Sequence, residues 1–131
     1  MADKVLTTGR THNVSGKGGS ARSSDGWLDV RMDDPHPAAE KLFGAAWSAC
    51  FMGALQLAAA QQKVALPSTP EIDAEIDLNH GDGGFFLTAR FTVTLGGVER
   101  ETAETLVAAA ELICPYSKAT RGNVNATFTV V

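Results

Sequence analysis

The run Glu40-Lys-Leu-Phe-Gly-Ala-Ala-Trp-Ser-Ala-Cys50-Phe-Met-Gly-Ala-Leu-Gln-Leu-Ala-Ala-Ala60 carries no proline and few polar residues. Leu42, Ala46, Ala49, Cys50, Gly53, Ala54 and Leu57 recur at spacings of three and four, the period of one helix face. The run therefore predicts a long helix with Cys50 in its middle. The face is apolar and small-sided, so another backbone can approach it closely. Such a helix packs against a second helix, with its own symmetry mate as one candidate. A cysteine on such a face is by default a small inert hydrophobe.

A second stretch changes that default. Thr102 to Cys114 has Ala103, Leu106, Val107, Ala110, Ile113 and Cys114 along one stripe, and Pro115 ends the run because its ring cannot continue a helix. Both cysteines of the chain thus sit on helix faces expected to look inward. Two thiols on two inward faces can meet.

The chain has 131 residues, enough for one domain spanning 1–131 with a real core and too few for two. It is 44% hydrophobic and 20% charged, the balance of a soluble globular protein. A net charge of −4 argues against nucleic acid and anionic membrane surfaces, which call for a basic patch. Met1-Ala-Asp-Lys4 has no signal-peptide core, and no window is expected to reach the roughly 18 apolar residues of a membrane helix. The expected compartment is the cytosol, where thiols are free, metal-bound or redox-active rather than locked in structural disulfides. Metal is disfavoured, because there is no C-x-x-C and His12, His36 and His80 are scattered.

Around the two helices, alternation marks the strands. Residues 4 to 32 read as a β-meander broken by Ser15-Gly-Lys-Gly-Gly-Ser20, with Ser23 to Gly26 as a turn and Leu28, Val30 and Met32 on one face. The Gly16-Lys17-Gly18 triplet lacks the flanking residues of a phosphate loop. Asp33 to Pro37 is a proline-rich connector into the long helix. Glu71 to Leu78 alternates, with Ile72, Ala74, Ile76 and Leu78 inward and four carboxylates outward on a solvated face. Asn79 to Gly84 reads as a loop. Phe85 to Leu95 alternates again, with Phe85, Leu87, Ala89, Phe91, Val93 and Leu95 inward. Tyr116 to Gly122 reads as a short turn, and Asn123 to Val131 as a closing strand. The order βββ-α-ββ-α-β predicts an α+β domain of sheet over helix.

Trp47-Ser-Ala-Cys50-Phe-Met-Gly-Ala-Leu55, Ile113-Cys114-Pro-Tyr-Ser-Lys-Ala-Thr-Arg-Gly122 and the upstream Ser23-Ser-Asp-Gly26 together resemble the organic hydroperoxide resistance family of the OsmC superfamily. The likeness runs from about Val5 to Val131. It implies the fold of that family, antiparallel sheets wrapped around two central helices in an intertwined homodimer. It also implies a thiol peroxidase that reduces alkyl and fatty-acid hydroperoxides to alcohols with no cofactor. In that scheme Cys50 attacks the peroxide and becomes a sulfenic acid, Cys114 closes a disulfide on it, and a lipoylated protein or other dithiol reduces the disulfide.

Only a thiolate is a good nucleophile, and an unperturbed thiol with a pKa of about 8.5 is mostly protonated near neutrality. The family places an arginine in a glycine-rich loop beside the reactive cysteine, held by a glutamate. Glu40 matches the glutamate, and Lys17 stands where the arginine would be. Lysine keeps the charge but loses the planar fork that grips two partners. Arg10 or Arg22 is the alternative source of charge. Glu40 and Cys50 are ten residues apart, about 15 Å along a straight helix. Either the helix breaks near Gly44, or Glu40 serves a site across a dimer interface. The competing reading is a non-enzymatic, stress-induced or ligand-binding member of the same fold, with the thiolate under-activated by the lysine.

Overall fold

The computed structural model describes residues 2–131, and the chain divides into two compact units, one ending at Ala39 and the other running from Glu40 to Val131. The N-terminal unit is the expected meander with shorter strands. β1 (Thr11–Val14), β2 (Ser20–Ser23) and β3 (Asp29–Arg31) form an antiparallel sheet in that order. The glycine-rich break is the β1–β2 corner. Gly16 and Gly18 take φ of 84° and 78°, the left-handed region open to glycine. A Cβ on Gly19 would lie 2.5 Å from the Val14 carbonyl and 2.7 Å from that of Gly16, so the backbone closes on itself there. Asp25 closes the β2–β3 turn by accepting from the Ser23 hydroxyl at 2.6 Å and the Trp27 N–H at 3.0 Å, bonds that hold its carboxyl below the usual range.

The long helix is α1 (Pro35–Gln61), with His36 and Pro37 in non-helical conformation. No helix-breaking geometry occurs near Gly44. That residue instead lets α1 approach the sheet, since a Cβ there would sit 3.3 Å from the Ile76 Cγ1 and 3.5 Å from the Ala74 Cβ. A break between Glu40 and Cys50 is therefore excluded.

β4 (Glu71–Gly81) and β5 (Gly84–Thr94) form a long hairpin around Asp82-Gly83, a dipeptide suited to tight two-residue loops, so the strands consume most of the expected Asn79–Gly84 loop. β6 (Asn125–Val130) pairs with β5 in parallel, so this sheet, ordered β4-β5-β6, is mixed rather than wholly antiparallel. Between β5 and β6 lie α2 (Arg100–Ile113) and α3 (Pro115–Thr120). α3 replaces the expected turn because Pro115 is pre-set for a first helical position.

Register explains the core. Ile72, Val93 and Val130 stand side by side across the sheet, as do Ala74, Phe91 and Phe128, and Ile76, Ala89 and Ala126. All point to the face carrying the helices, where Trp47, Phe51, Leu55 and Ala58 of α1 meet Ala103, Leu106, Val107 and Ala110 of α2. Phe128 stacks between Phe51 and Phe91, with centroids at 4.4 and 4.6 Å. Towards the hairpin tip the helices no longer cover the sheet, which leaves Leu78 and Phe85 exposed despite their inward register. On the outer face Arg90 bridges Asp77 at 2.5 Å and Glu75 at 3.5 Å, so the acidic row is a solvated, ion-paired surface.

The face of α1 singled out by its small residues is not the core face. Ala46, Ala49, Gly53 and Leu57 are exposed, while the buried stripe runs through Gly44, Trp47, Ser48, Phe51, Ala54, Leu55 and Ala58. Trp47 and Phe51, with most apolar area to bury, decide which side turns in. α1 is also long and apolar enough to cross a membrane by length and composition, contrary to expectation. Its large apolar side chains are packed against the sheet, as in the core helix of a soluble protein.

Candidate active site

Two segments of the second unit build the site. On α1, Cys50 lies at the border between the buried stripe and the exposed small-sided face and is half-buried. Cys114 lies at the joint of α2 and α3. Pro115 disfavours helical conformation in the residue before it, and Cys114 accordingly has ψ of 119° while its N–H still bonds the Ala110 carbonyl at 2.9 Å. That single extended residue turns its side chain into the interior, where it is fully buried. Cys114 Sγ donates to Cys50 Sγ at 3.2 Å, and both thiols are free. The sequence expectation that they meet holds, although Cys50 is less enclosed than its partner.

Burial pushes the Cys50 thiol above its ordinary value, and the adjacent Cys114 sulfur adds to the rise by hydrogen bonding and by charge repulsion. The backbone N–H of Tyr116 opposes both.

Each of the other candidates is described within its own unit. Glu40 is buried on α1 and lines a groove of about 390 Å³ with Gly44, Ser48, Met52, Ile72 and Ala74, without Cys50. Ten helical residues separate it from the thiols. Lys17 is exposed between Gly16 and Gly18 at the β1–β2 corner, a position held by the Gly19 N–H to Gly16 carbonyl bond at 2.8 Å and the Gly18 N–H to Asp33 bond at 2.6 Å. Among the described residues no ion pair occupies it. Arg22 is engaged across the sheet with Asp29 at 3.0 Å, and Arg10 is exposed before β1.

Two side chains beside the thiols escaped the sequence reading as a pair. The Trp47 indole N–H donates to the Ser117 hydroxyl at 3.1 Å in a buried bond. Trp47 precedes Cys50 by three residues and Ser117 follows Cys114 by three, so the matched spacing was the available signal. The pair also lines a cavity of about 650 Å³ with Arg121, Asn125 and Phe128.

Residues 32–129 match the family described as OsmC-like protein. An organic hydroperoxide resistance protein of Xanthomonas axonopodis pv. citri (strain 306) is 36% identical, over 98% of this chain and 96% of the relative. The crystal structure of the organic hydroperoxide resistance protein OhrB of Bacillus subtilis superposes with a TM-score of 0.84 at 36% identity, covering 97% of this chain and all, 100%, of that one. A structure described as an organic hydroperoxide resistance protein OsmC from Legionella pneumophila gives a TM-score of 0.86 at 32% identity, with coverage of 97% and 98%. The chain therefore belongs to the OsmC-like family, among the organic hydroperoxide resistance proteins.

Proposed function

We propose that the protein is a cytosolic thiol peroxidase that reduces organic hydroperoxides to alcohols. The observation that carries this reading is the 3.2 Å approach of two free thiols, one half-buried and one enclosed. The half-buried Cys50 can meet a substrate, and the enclosed Cys114 can only meet Cys50. Cys50 thiolate attacks the terminal oxygen of the hydroperoxide, the O–O bond breaks, and the alkoxide leaves as the alcohol after taking a proton. Cys50 is then a sulfenic acid. The Cys114 sulfur attacks it, the S–O bond breaks, and water leaves as the disulfide forms. A disulfide needs an S–S distance of about 2.05 Å, so the sulfurs need to close by little more than an ångström. An external dithiol, a lipoylated protein in this reading, returns both cysteines to thiols as its own pair is oxidised.

The raised Cys50 thiol calls for a cation, which we assign to Lys17, with Arg22 and Arg10 as the alternatives. Glu40 orients that cation. Because α1 runs unbroken from Glu40 to Cys50, Glu40 serves the thiols of a partner chain, and the active form is a homodimer joined through the exposed small-sided face of α1. The raised thiol also favours a second reading, a ligand-binding protein whose Cys50 is too rarely ionised to turn over. One equivalent of an alkyl hydroperoxide added to reduced protein separates the two. Loss of two thiols per chain within seconds is expected of the peroxidase, and survival of both would leave only the binding protein.

A further inference from the structure

α3 has six residues, and Ser117 is the one that is buried. Pro115, Tyr116, Lys118 and Ala119 are exposed, so this helix has almost no apolar contact to hold it in place. Yet its first turn carries the Tyr116 N–H, which favours the Cys50 thiolate, and it begins directly after Cys114. Its tie to α1, beyond the sulfurs themselves, is the Ser117 hydroxyl on the Trp47 indole at 3.1 Å. The indole is a fixed post. It is 1% exposed, wedged edge-on against Phe91 at 4.7 Å and tilted against Phe43 at 5.4 Å, contacts that do not depend on its N–H.

We propose that Trp47 and Ser117 are positioning residues, a latch that holds α3 against α1 so that the Tyr116 N–H and the Cys114 thiol both face the Cys50 sulfur. This inference rests on the thiol-peroxidase reading for its purpose. Its geometry applies to any oxidation of the pair. With the latch closed, the Cys50 sulfur keeps a donor that favours its ionised form, and Cys114 stays within about an ångström of bonding distance. With it open, α3 is free to swing on the extended Cys114 hinge, and the buried Ser117 hydroxyl is left without its partner.

The test uses reduced full-length protein carrying Ser117→Ala, Trp47→Phe, both together, or Ser117→Thr. Two readouts avoid peroxide altogether: the pH midpoint of site-resolved Cys50 alkylation, and the rate at which diamide, an azo oxidant reduced to its hydrazine, closes the Cys50–Cys114 disulfide. Loss of one hydrogen bond is expected to slow closure roughly five-fold and to move the alkylation midpoint up by about half a pH unit. The double variant is expected to do no more than either single one, because both remove the same bond. Ser117→Thr, which keeps the hydroxyl, is expected to match the parent. Unchanged closure and midpoint in Ser117→Ala, or additive effects in the double variant, would overturn the latch. So would unfolding of both single variants while Ser117→Thr folds, which assigns the bond to stability alone. A chain that shows the latch effects but spares alkyl hydroperoxides keeps this inference and loses the peroxidase.

Discussion

Two sulfurs 3.2 Å apart are not equivalent when one is enclosed and the other half-exposed. In the proposed peroxidase Cys50 attacks and Cys114 resolves, so Cys50→Ser is expected to abolish hydroperoxide reduction. Cys114→Ser should permit one attack and stop at a sulfenic acid, which a dimedone-type reagent would trap and mass spectrometry would locate. Reversal of that pattern would reverse the roles. Lys17 is argued on the same scale. An opposite charge within about 4 to 6 Å favours a thiolate, so Lys17→Met should raise the Cys50 midpoint and slow peroxide turnover near neutrality by ten-fold or more, about one pH unit of thiolate. The sign fixes the pH profile, since a thiol pushed up loses its proton only as pH rises. The Lys17→Met rate should therefore recover in alkaline buffer, whereas Lys17→Arg should keep or improve it at all pH values. A Met variant with parental rate and titration would move the search to Arg22 and Arg10.

Helix, strands and their order were legible because hydrophobic period does not depend on partners. α2 carries its expected stripe, and β4, β5 and β6 alternate as read. What α1 faces was not legible, because both of its sides are apolar and only the sheet decides between Trp47, Phe51 and Leu55 on one side and Ala46, Ala49 and Gly53 on the other. The parallel β5–β6 pairing needed the α2–α3 crossover to be seen. The Trp47–Ser117 bond escaped because it joins residues 70 positions apart, and its one signal, the matched spacing of three from each cysteine, has meaning only once the two thiols are known to meet. The core assignment of α1 has a direct check. Phe51 is fully buried and stacked on Phe128, so Phe51→Ala should cost about 3 to 5 kcal/mol in denaturant unfolding. Ala49→Ser on the opposite face should cost the isolated chain far less. Comparable losses from the two would mean that the buried stripe is misassigned.

An exposed helix side made of alanine, glycine and leucine sits badly with water, and a second copy is the occupant that the homodimer reading requires. Gly53 has no atom within 4 Å of where its Cβ would be, so a larger residue there disturbs nothing in its own chain. Ala46 is likewise exposed. The paired substitutions Ala46→Glu and Gly53→Glu place two carboxylates per chain on this face. Across a symmetric contact these would meet their counterparts, and like charges forced together out of water cost several kcal/mol. Sedimentation should then show a dimeric parent and a monomeric variant with helical content retained. The proposed disulfide between Cys50 and Cys114 lies within one chain, so diamide should still close it in the monomer. Peroxide reduction near neutrality should nevertheless fall, because the unbroken α1 keeps Glu40 away from its own Cys50 and the proposed site takes it from a partner. A variant that stays dimeric would show that this face is not the contact. A monomer with the full peroxide rate would show instead that one chain holds the whole site, and Glu40 would lose its assigned part in it.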